Sequence, residues 1–398
     1  MLNFLRHTFL HPLTEFIHDS RAIGIVLLSC TFVSLLLANM PFSSEGYRHF
    51  WETGFNGTQE HHIHLGYLSL PNSPLIIIND LLMALFFFLA GMEIKREMVS
   101  GELASIKKSL LPVIAAIGGM LAPAVLFMLF NANSSYTKGW AIPTATDIAF
   151  TLGVASLLGN RVPVALKVFL TALAIIDDLG AIVVIAIFYG GKLQLLYLLG
   201  VGIIVGILLL LNRFRLPFGL GHIVLGSLLW YCMFNSGIHA TVAGVIFAFL
   251  VPTKLLEKFE LKLHTPVYFL IMPIFALANT AIAFPANSLQ ALNSSLSWGI
   301  VVALFIGKPL GICLFSFVLT RFNLAELPNG TCWKQLIGAG ILAGIGFTMS
   351  IFIATLAFSS ATEQDIAKIS VLAASLLAMI VGFSWLRFST SVTSNPIS

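Results

Sequence analysis

The run ALAIIDDLGAIVVIAIF, Ala172 to Phe188, places two adjacent carboxylates, Asp177 and Asp178, in the middle of an apolar stretch. An Asp at the centre of a membrane span costs roughly 2.5 to 3.5 kcal/mol on insertion scales, and a second beside it adds repulsion. Ionisable residues kept at such depth face one another or an aqueous cavity, and they are functional by default. The remaining apolar interior holds Asp147, His239 and Lys308, with Asp80 near the outer half of the second apolar run. Adjacent helical positions point about 100° apart, so Asp177 and Asp178 cannot both meet one partner squarely; one can pair with a cation while the other lines a cavity. Lys308 is the single buried cation of this set. It sits in FIGKPLGI between Gly307 and Gly311, a small-xxx-small spacing that admits close approach by another helix. Such groups titrate as one coupled system. A carboxylate that either a proton or a small hard cation can neutralise is a competitive exchange site, because the two occupants exclude each other. If the site opens alternately to each side, competition alone produces antiport.

Two segments supply what such a site needs from its backbone. GWAIPTATDIAFTLG, Gly139 to Gly153, has Pro143 denying a helical hydrogen bond, followed by Thr144, Thr146 and Asp147, whose side chains compete for the freed groups. GAGILAGIGFTMSIFIA, Gly338 to Ala354, carries Gly338, Gly340, Gly344 and Gly346 ahead of Thr348 and Ser350. Both predict broken helices, in the fourth and eleventh spans. Spans 3–5 (109–189) and 10–12 (297–387) then form two three-helix units of inverted topology whose interrupted helices cross at midplane, with Asp147 offsetting positive half-helix ends.

The elements that position these residues follow from composition. The chain has 398 residues, 58% hydrophobic and 10% charged, with mean hydropathy +0.96, against about 25% charged residues in soluble domains. This is an all-α polytopic membrane protein. Apolar runs of span length number about twelve at roughly 20 residues each, near 22–40, 73–96, 109–130, 137–158, 163–189, 193–212, 218–234, 237–252, 266–285, 297–320, 335–358 and 366–387. With both termini cytosolic, about sixteen of the 21 Lys and Arg fall on the cytosolic side, and Arg48, Lys138, Lys192 and Lys368 face out. That bias accounts for the net charge of +4 without nucleic acid. Cys30, Cys232, Cys313 and Cys332 have no metal-ligand or redox spacing and are expected as small core residues with no disulfide. The first 21 residues predict an amphipathic lead-in rather than a cleaved signal. The outer loop, about 41–72, contains HHIHLGYLSLPNSP, whose alternation predicts a β-hairpin. His61, His62 and His64 are expected on a solvated face and not at a metal site.

AIPTATDIAF, KVFLTALAIIDDLGA, SGIHATVAG, IGKPLGI and GIGFTMSIFIA together resemble the NhaA sodium/proton antiporters, across essentially the whole chain. The IIDD run with GKPLG downstream is highly specific; inverted repeats with broken helices are themselves known from this family. The resemblance implies an electrogenic exchanger of the bacterial inner membrane, with both termini cytosolic, that expels sodium or lithium, imports more protons and is more active at alkaline pH. It implies that Asp177 and Asp178 carry the transported sodium and the protons, Asp178 as the sodium ligand and Asp177 as partner of Lys308. Thr146 and Asp147 would line the helix crossing. Asp80 and His239 match positions tied to activity or pH response. Glu93, Arg96 and Glu97 in GMEIKREMVSGEL, with Glu260 and His264 in FELKLHTP, match a cytoplasmic pH-sensing cluster, although Leu261 stands where histidine is common. The hairpin matches a homodimer contact. Partners are therefore sodium or lithium, protons, the lipid bilayer and a second copy, with no cofactor.

Alternatives remain at the residue level. Lys308 can be a structural counter-ion, His239 an interhelical hydrogen-bond donor, and the Glu93–Glu97 group a solvated helix end. An intramembrane aspartyl protease could use Asp147 with Asp177, but needs neither the contiguous pair nor Lys308. A sodium-coupled symporter of the same fold would need more basic or amide groups at midplane. No phosphate loop or nucleophile elbow is present, which argues against ATP-driven pumping, and no enzyme activity is expected.

Overall fold

A computed structural model describes residues 20–58, 60–65, 68–284 and 292–389. The amphipathic lead-in lies outside these, apart from Ser20 and Arg21, which already belong to the first helix. Among the described residues, eight helices are long and apolar enough to cross a membrane: α1 (Ser20–Asn39), α2 (Pro74–Ser100), α3 (Ile106–Asn131), α5 (Val164–Phe188), α6 (Leu195–Arg213), α9 (Thr253–Asn279), α10 (Ser295–Arg321) and α13 (Ala361–Ser389). A ninth span results if α11 (Trp333–Ala343) and α12 (Phe347–Ala357), bent by 44° at their junction, count as one. Shorter helices are α4 (Ile148–Leu157), α7 (Leu220–Phe234) and α8 (Val242–Leu250).

These short elements account for the distance from the expected count of twelve among the described residues. The fourth run splits into a 3-10 stretch, Ser135–Thr144, and α4. The eighth shrinks to the nine residues of α8, because the polar and glycine positions of NSGIHAT form turns before it. The ninth starts earlier than expected: Lys254, Lys258 and Lys262 belong to the helical segment, whose alternation of charged and apolar residues is amphipathic and escapes a hydropathy window. Pro266 then precedes a π-turn, Val267–Ile271. Further π-turns occupy Ile77–Leu82 in α2 and Ala303–Gly307 in α10.

The expected hairpin forms, with β1 (His62–Leu65) antiparallel to β2 (Leu68–Pro71) and His62 opposite Pro71. Lys368, assigned to the outer side by charge bias, is buried on α13, near Ser370 and Val371. One side-chain expectation needs correction. Cys332 is exposed at the start of α11, while the other three cysteines are half-buried; all four are free.

The chain divides into two compact units, one of Met1–Ser29, Glu102–Asp178 and Phe284–Ser398, the other of Cys30–Gly101 and Leu179–Ala283. In the first, α3 and α10 pack backbone to backbone, as the spacing of Gly307 and Gly311 predicts. A Cβ on Gly311 would stand 2.6 Å from the carbonyl carbon of Gly118 and 2.8 Å from Ala122 Cβ. Behind them, α11 lies against α10 at Gly340 and Pro309, and Gly338 and Gly382 bring α11 and α13 together. In the second unit, Gly91 and Gly244 let α2 and α8 touch, with Gly91 facing Ala248 and Gly244 facing the backbone of Ala84 and Phe88. Ile204, Leu208, Leu229, Met233 and Ala243 bind α6, α7 and α8 into one core. The outward side of α6, with Leu195, Leu196, Leu199 and Ile203 exposed, suits contact with lipid.

Candidate functional site

Helical structure stops at Ala145–Asp147 and resumes at α4; it stops again at Gly344–Gly346 and resumes at α12. The two interruptions lie side by side. Asp147 N–H donates to Ile345 O at 2.7 Å. Carbonyls at the end of each segment accept from hydroxyls of the other: Thr151 donates to Leu342 O at 3.1 Å, beside the Ile345 N–H, and Ser350 donates to Ile142 O at 2.7 Å. Asp147 serves the opposite ends. Its Oδ1 accepts from Phe150 N–H at 3.1 Å, capping α4, and its Oδ2 accepts from Thr348 N–H at 3.2 Å in the first turn of α12, and from the Thr348 hydroxyl. One carboxylate thus answers two helix N-termini, where partial positive charge gathers.

Against this crossing stands the ion pair. Lys308 Nζ donates to Asp177 Oδ2 at 2.5 Å, and both side chains are fully buried. The π-turn Ala303–Gly307 ends at Lys308, and such turns commonly mark functional positions. Thr146 Oγ1 lies 2.7 Å from Asp177 Oδ2 and 3.0 Å from Ala343 O, and accepts from Lys308 Nζ at 2.5 Å. Its single proton can serve only one of those two acceptors at a time, so the hydroxyl can turn between carboxylate and carbonyl. Asp178, 2% exposed, is the next residue on α5, and its charge also acts on Lys308. Two carboxylates, a hydroxyl and nearby backbone carbonyls are oxygen donors of the kind a hard cation takes. Among the described residues no three His, Cys, Asp or Glu converge as a metal centre.

The residues singled out by sequence fall into three groups. Asp177, Asp178, Lys308, Thr146 and Asp147 meet in the first unit. The second unit contains two other clusters. Arg96 bridges Glu260 and Glu97, each at 3.3 Å, and the charges of all three act on half-buried Glu93; His264 stands one turn beyond Glu260 with its ring 4.7 Å from Tyr268. Elsewhere, buried Asp80 lies in the π-turn of α2, and His239 occupies the turn before α8, its Nε2 3.0 Å from Tyr189 O. His61 is not merely solvated, since its ring approaches Asp80 Oδ2 at 3.3 Å. The protease alternative loses ground here, because Asp147 is committed to two helix ends rather than to a water shared with Asp177. Thr151 and the pairing roles of Thr348 and Ser350 went unread in the sequence. Their signal is a hydroxyl within about one turn of a Gly or Pro break inside an apolar run.

A buried carboxylate and lysine pair at the junction of two interrupted helices, inside a multi-pass bundle, defines an ion-coupled membrane transporter. The chain belongs to the Na+/H+ antiporter 1 family, whose sequence profile matches residues 14–386. Among its relatives is the Na(+)/H(+) antiporter NhaA of Salmonella arizonae, 46% identical over 384 residues that cover 94% of this chain and 97% of the relative. NhaA of Citrobacter koseri is 46% identical over the same span. Na(+)/H(+) antiporter NhaA 2 of Flavobacterium johnsoniae is 47% identical over 382 residues, 93% of this chain and 91% of that protein. The family is one of transporters, not enzymes.

Proposed function

We propose that this protein exchanges sodium for protons, with Asp177 and Asp178 as the shared carriers. The contact between Lys308 and Asp177 at 2.5 Å, with Asp178 adjacent and solvent excluded, carries this reading. In the state described, an ammonium neutralises one carboxylate. A sodium ion arriving at Asp178 and Thr146 competes with that ammonium for negative charge, and binding one cation favours release of another and of protons. Thr146 supports the competition because its hydroxyl can be oriented toward either a carboxylate or a carbonyl.

The same reading extends to architecture. Twelve spans follow if the 3-10 stretch with α4, the pair α11 and α12, and the short helices α7 and α8 each count as crossings. Spans 3–5 and 10–12 are inverted repeats, an arrangement favoured by the reciprocal Thr151 to Leu342 and Ser350 to Ile142 bonds. Both termini are cytosolic in a bacterial inner membrane, by the distribution of Lys and Arg. Transport is electrogenic, accepts lithium, and rises with pH through Glu93, Arg96, Glu97, Glu260 and His264, with Asp80 and His239 modulating it. The hairpin joins two copies. The direct test is uptake of labelled sodium into liposomes holding the purified protein, driven by an outward proton gradient. Uptake that follows the gradient supports exchange, and uptake indifferent to it refutes exchange.

A further inference from the structure

We propose that His61 is a positioning residue for Asp80, a pH-operated clasp that holds the hairpin onto α2 while the imidazole is protonated. The proposal rests on the exchange reading, in which Asp80 modulates transport. His61 Nε2 stands 3.3 Å from Asp80 Oδ2, yet the His61 side chain is 58% exposed and that of Asp80 only 9%. The imidazole is thus the exposed member of the pair and the carboxylate the buried one. The ring is aimed by stacking on Phe234, centroids 5.8 Å apart, and Phe234 in turn stacks on Trp230 at 5.5 Å. Trp230 closes the circuit by donating Nε1–H to Asp80 O at 2.9 Å, within the π-turn that carries the carboxylate. Hairpin, α7 and α2 thus meet around one ion pair.

The neighbouring titratable groups leave that role to His61. On the hairpin, His62 lies 5.1 Å away ring to ring, bonded to Ser69 Oγ at 3.1 Å. Burial, then the charges of His61 and His64, lower the His62 pKa against the pull of Asp80. His64 stacks on His62, 6.4 Å between centroids. From the turn before α8, His239 interacts with the charges of both Asp80 and His61, but its Nε2 is engaged by Tyr189 O. The rest of the hairpin is fastened independently of pH, through Tyr231 and Asn235 to the backbone of Ser69. Histidine is the side chain that ordinarily changes charge between about pH 5 and 8. The charge-assisted bond exists below that change and is lost above it, so the clasp closes in acid and opens in alkali, freeing the π-turn of α2.

The test uses the full chain in lipid nanodiscs, with amide hydrogen exchange followed over segments 60–72 and 77–82 between pH 5.5 and 8.5. Wild type, His61→Gln and His61→Lys are compared at equal pH, which cancels intrinsic rates. Wild type should exchange several-fold more slowly than His61→Gln in acid and equally in alkali, and His61→Lys should stay protected throughout. Sodium/proton exchange in liposomes, with pH varied on the hairpin face alone, should show a step in wild type that His61→Gln loses and His61→Lys lacks by remaining slow. Protection identical in wild type and His61→Gln at every pH overturns the clasp. Protection as expected, with the same transport profile in all three proteins, overturns the positioning role. Wild-type protein that shows the clasp but no exchange at any pH upholds the clasp and fails the antiport reading instead.

Discussion

Asp177 and Lys308 meet at 2.5 Å with neither side chain reaching solvent, and that contact divides stability from activity in a measurable way. Removing one member of a buried pair leaves the other charged without compensation, at a cost of about 3–5 kcal/mol, whereas removing both is far milder. Lys308→Ala should therefore lower the thermal midpoint strongly, and Lys308→Ala with Asp177→Asn should recover most of that loss, a coupling read by a double-mutant cycle. A double variant no more stable than the single one would show the pair to be unlinked. Asp147 behaves differently, because its work is on backbone. Asp147→Ala should cost about 1–2 kcal/mol for each N-terminus it serves, while Asp147→Asn keeps an acceptor and costs less; thermal unfolding in detergent distinguishes them. Asp177, Asp178 and Lys308 were legible in sequence because charge in an apolar run is too costly to be incidental. Thr151 and Ser350 were not, since a hydroxyl in a span carries no such cost and its purpose shows only once the carbonyl opposite it is known.

Interrupted helices and glycine contacts set the geometry one level up. Pro143 and the pair Gly344 and Gly346 announce both interruptions, and the structure places the breaks just after Pro143, at Ala145–Asp147, and across Gly344–Gly346. That another helix packs closely on α10 is equally legible from Gly307 and Gly311, although not that this helix is α3. A larger side chain has no room there: Gly311→Val should displace α3 from α10, destabilise the protein by about 1–3 kcal/mol or more, and disturb Lys308 three residues earlier. A sodium affinity and thermal midpoint both unchanged in Gly311→Val would refute the tight contact. The early start of α9 and the brevity of α8 were hidden for opposite reasons. An amphipathic helix has low mean hydropathy, and a polar turn inside an apolar run leaves the average high.

For the whole molecule, the carboxylate site belongs to one compact unit and the Arg96 cluster and Asp80 to the other, a membership that composition and periodicity do not carry because each unit is assembled from distant stretches of chain. Membrane character and helical class, by contrast, follow from 58% hydrophobic and 10% charged residues. If the hairpin joins two copies, replacing residues 60–72 by a short glycine and serine linker should shift the protein from dimer to monomer in size-exclusion light scattering, with the site intact. A dimer that survives this change places the contact elsewhere. The central claim is that Asp177 and Asp178 are the carriers. Its most direct test is sodium-induced collapse of a preformed pH gradient in everted membrane vesicles, comparing wild type with Asp177→Asn and Asp178→Asn from neutral to alkaline pH. Sodium should dissipate the gradient in wild type and leave it at the protein-free background in both variants, each inserted in the membrane at normal levels. A gradient that sodium collapses equally well in either variant would contradict the account.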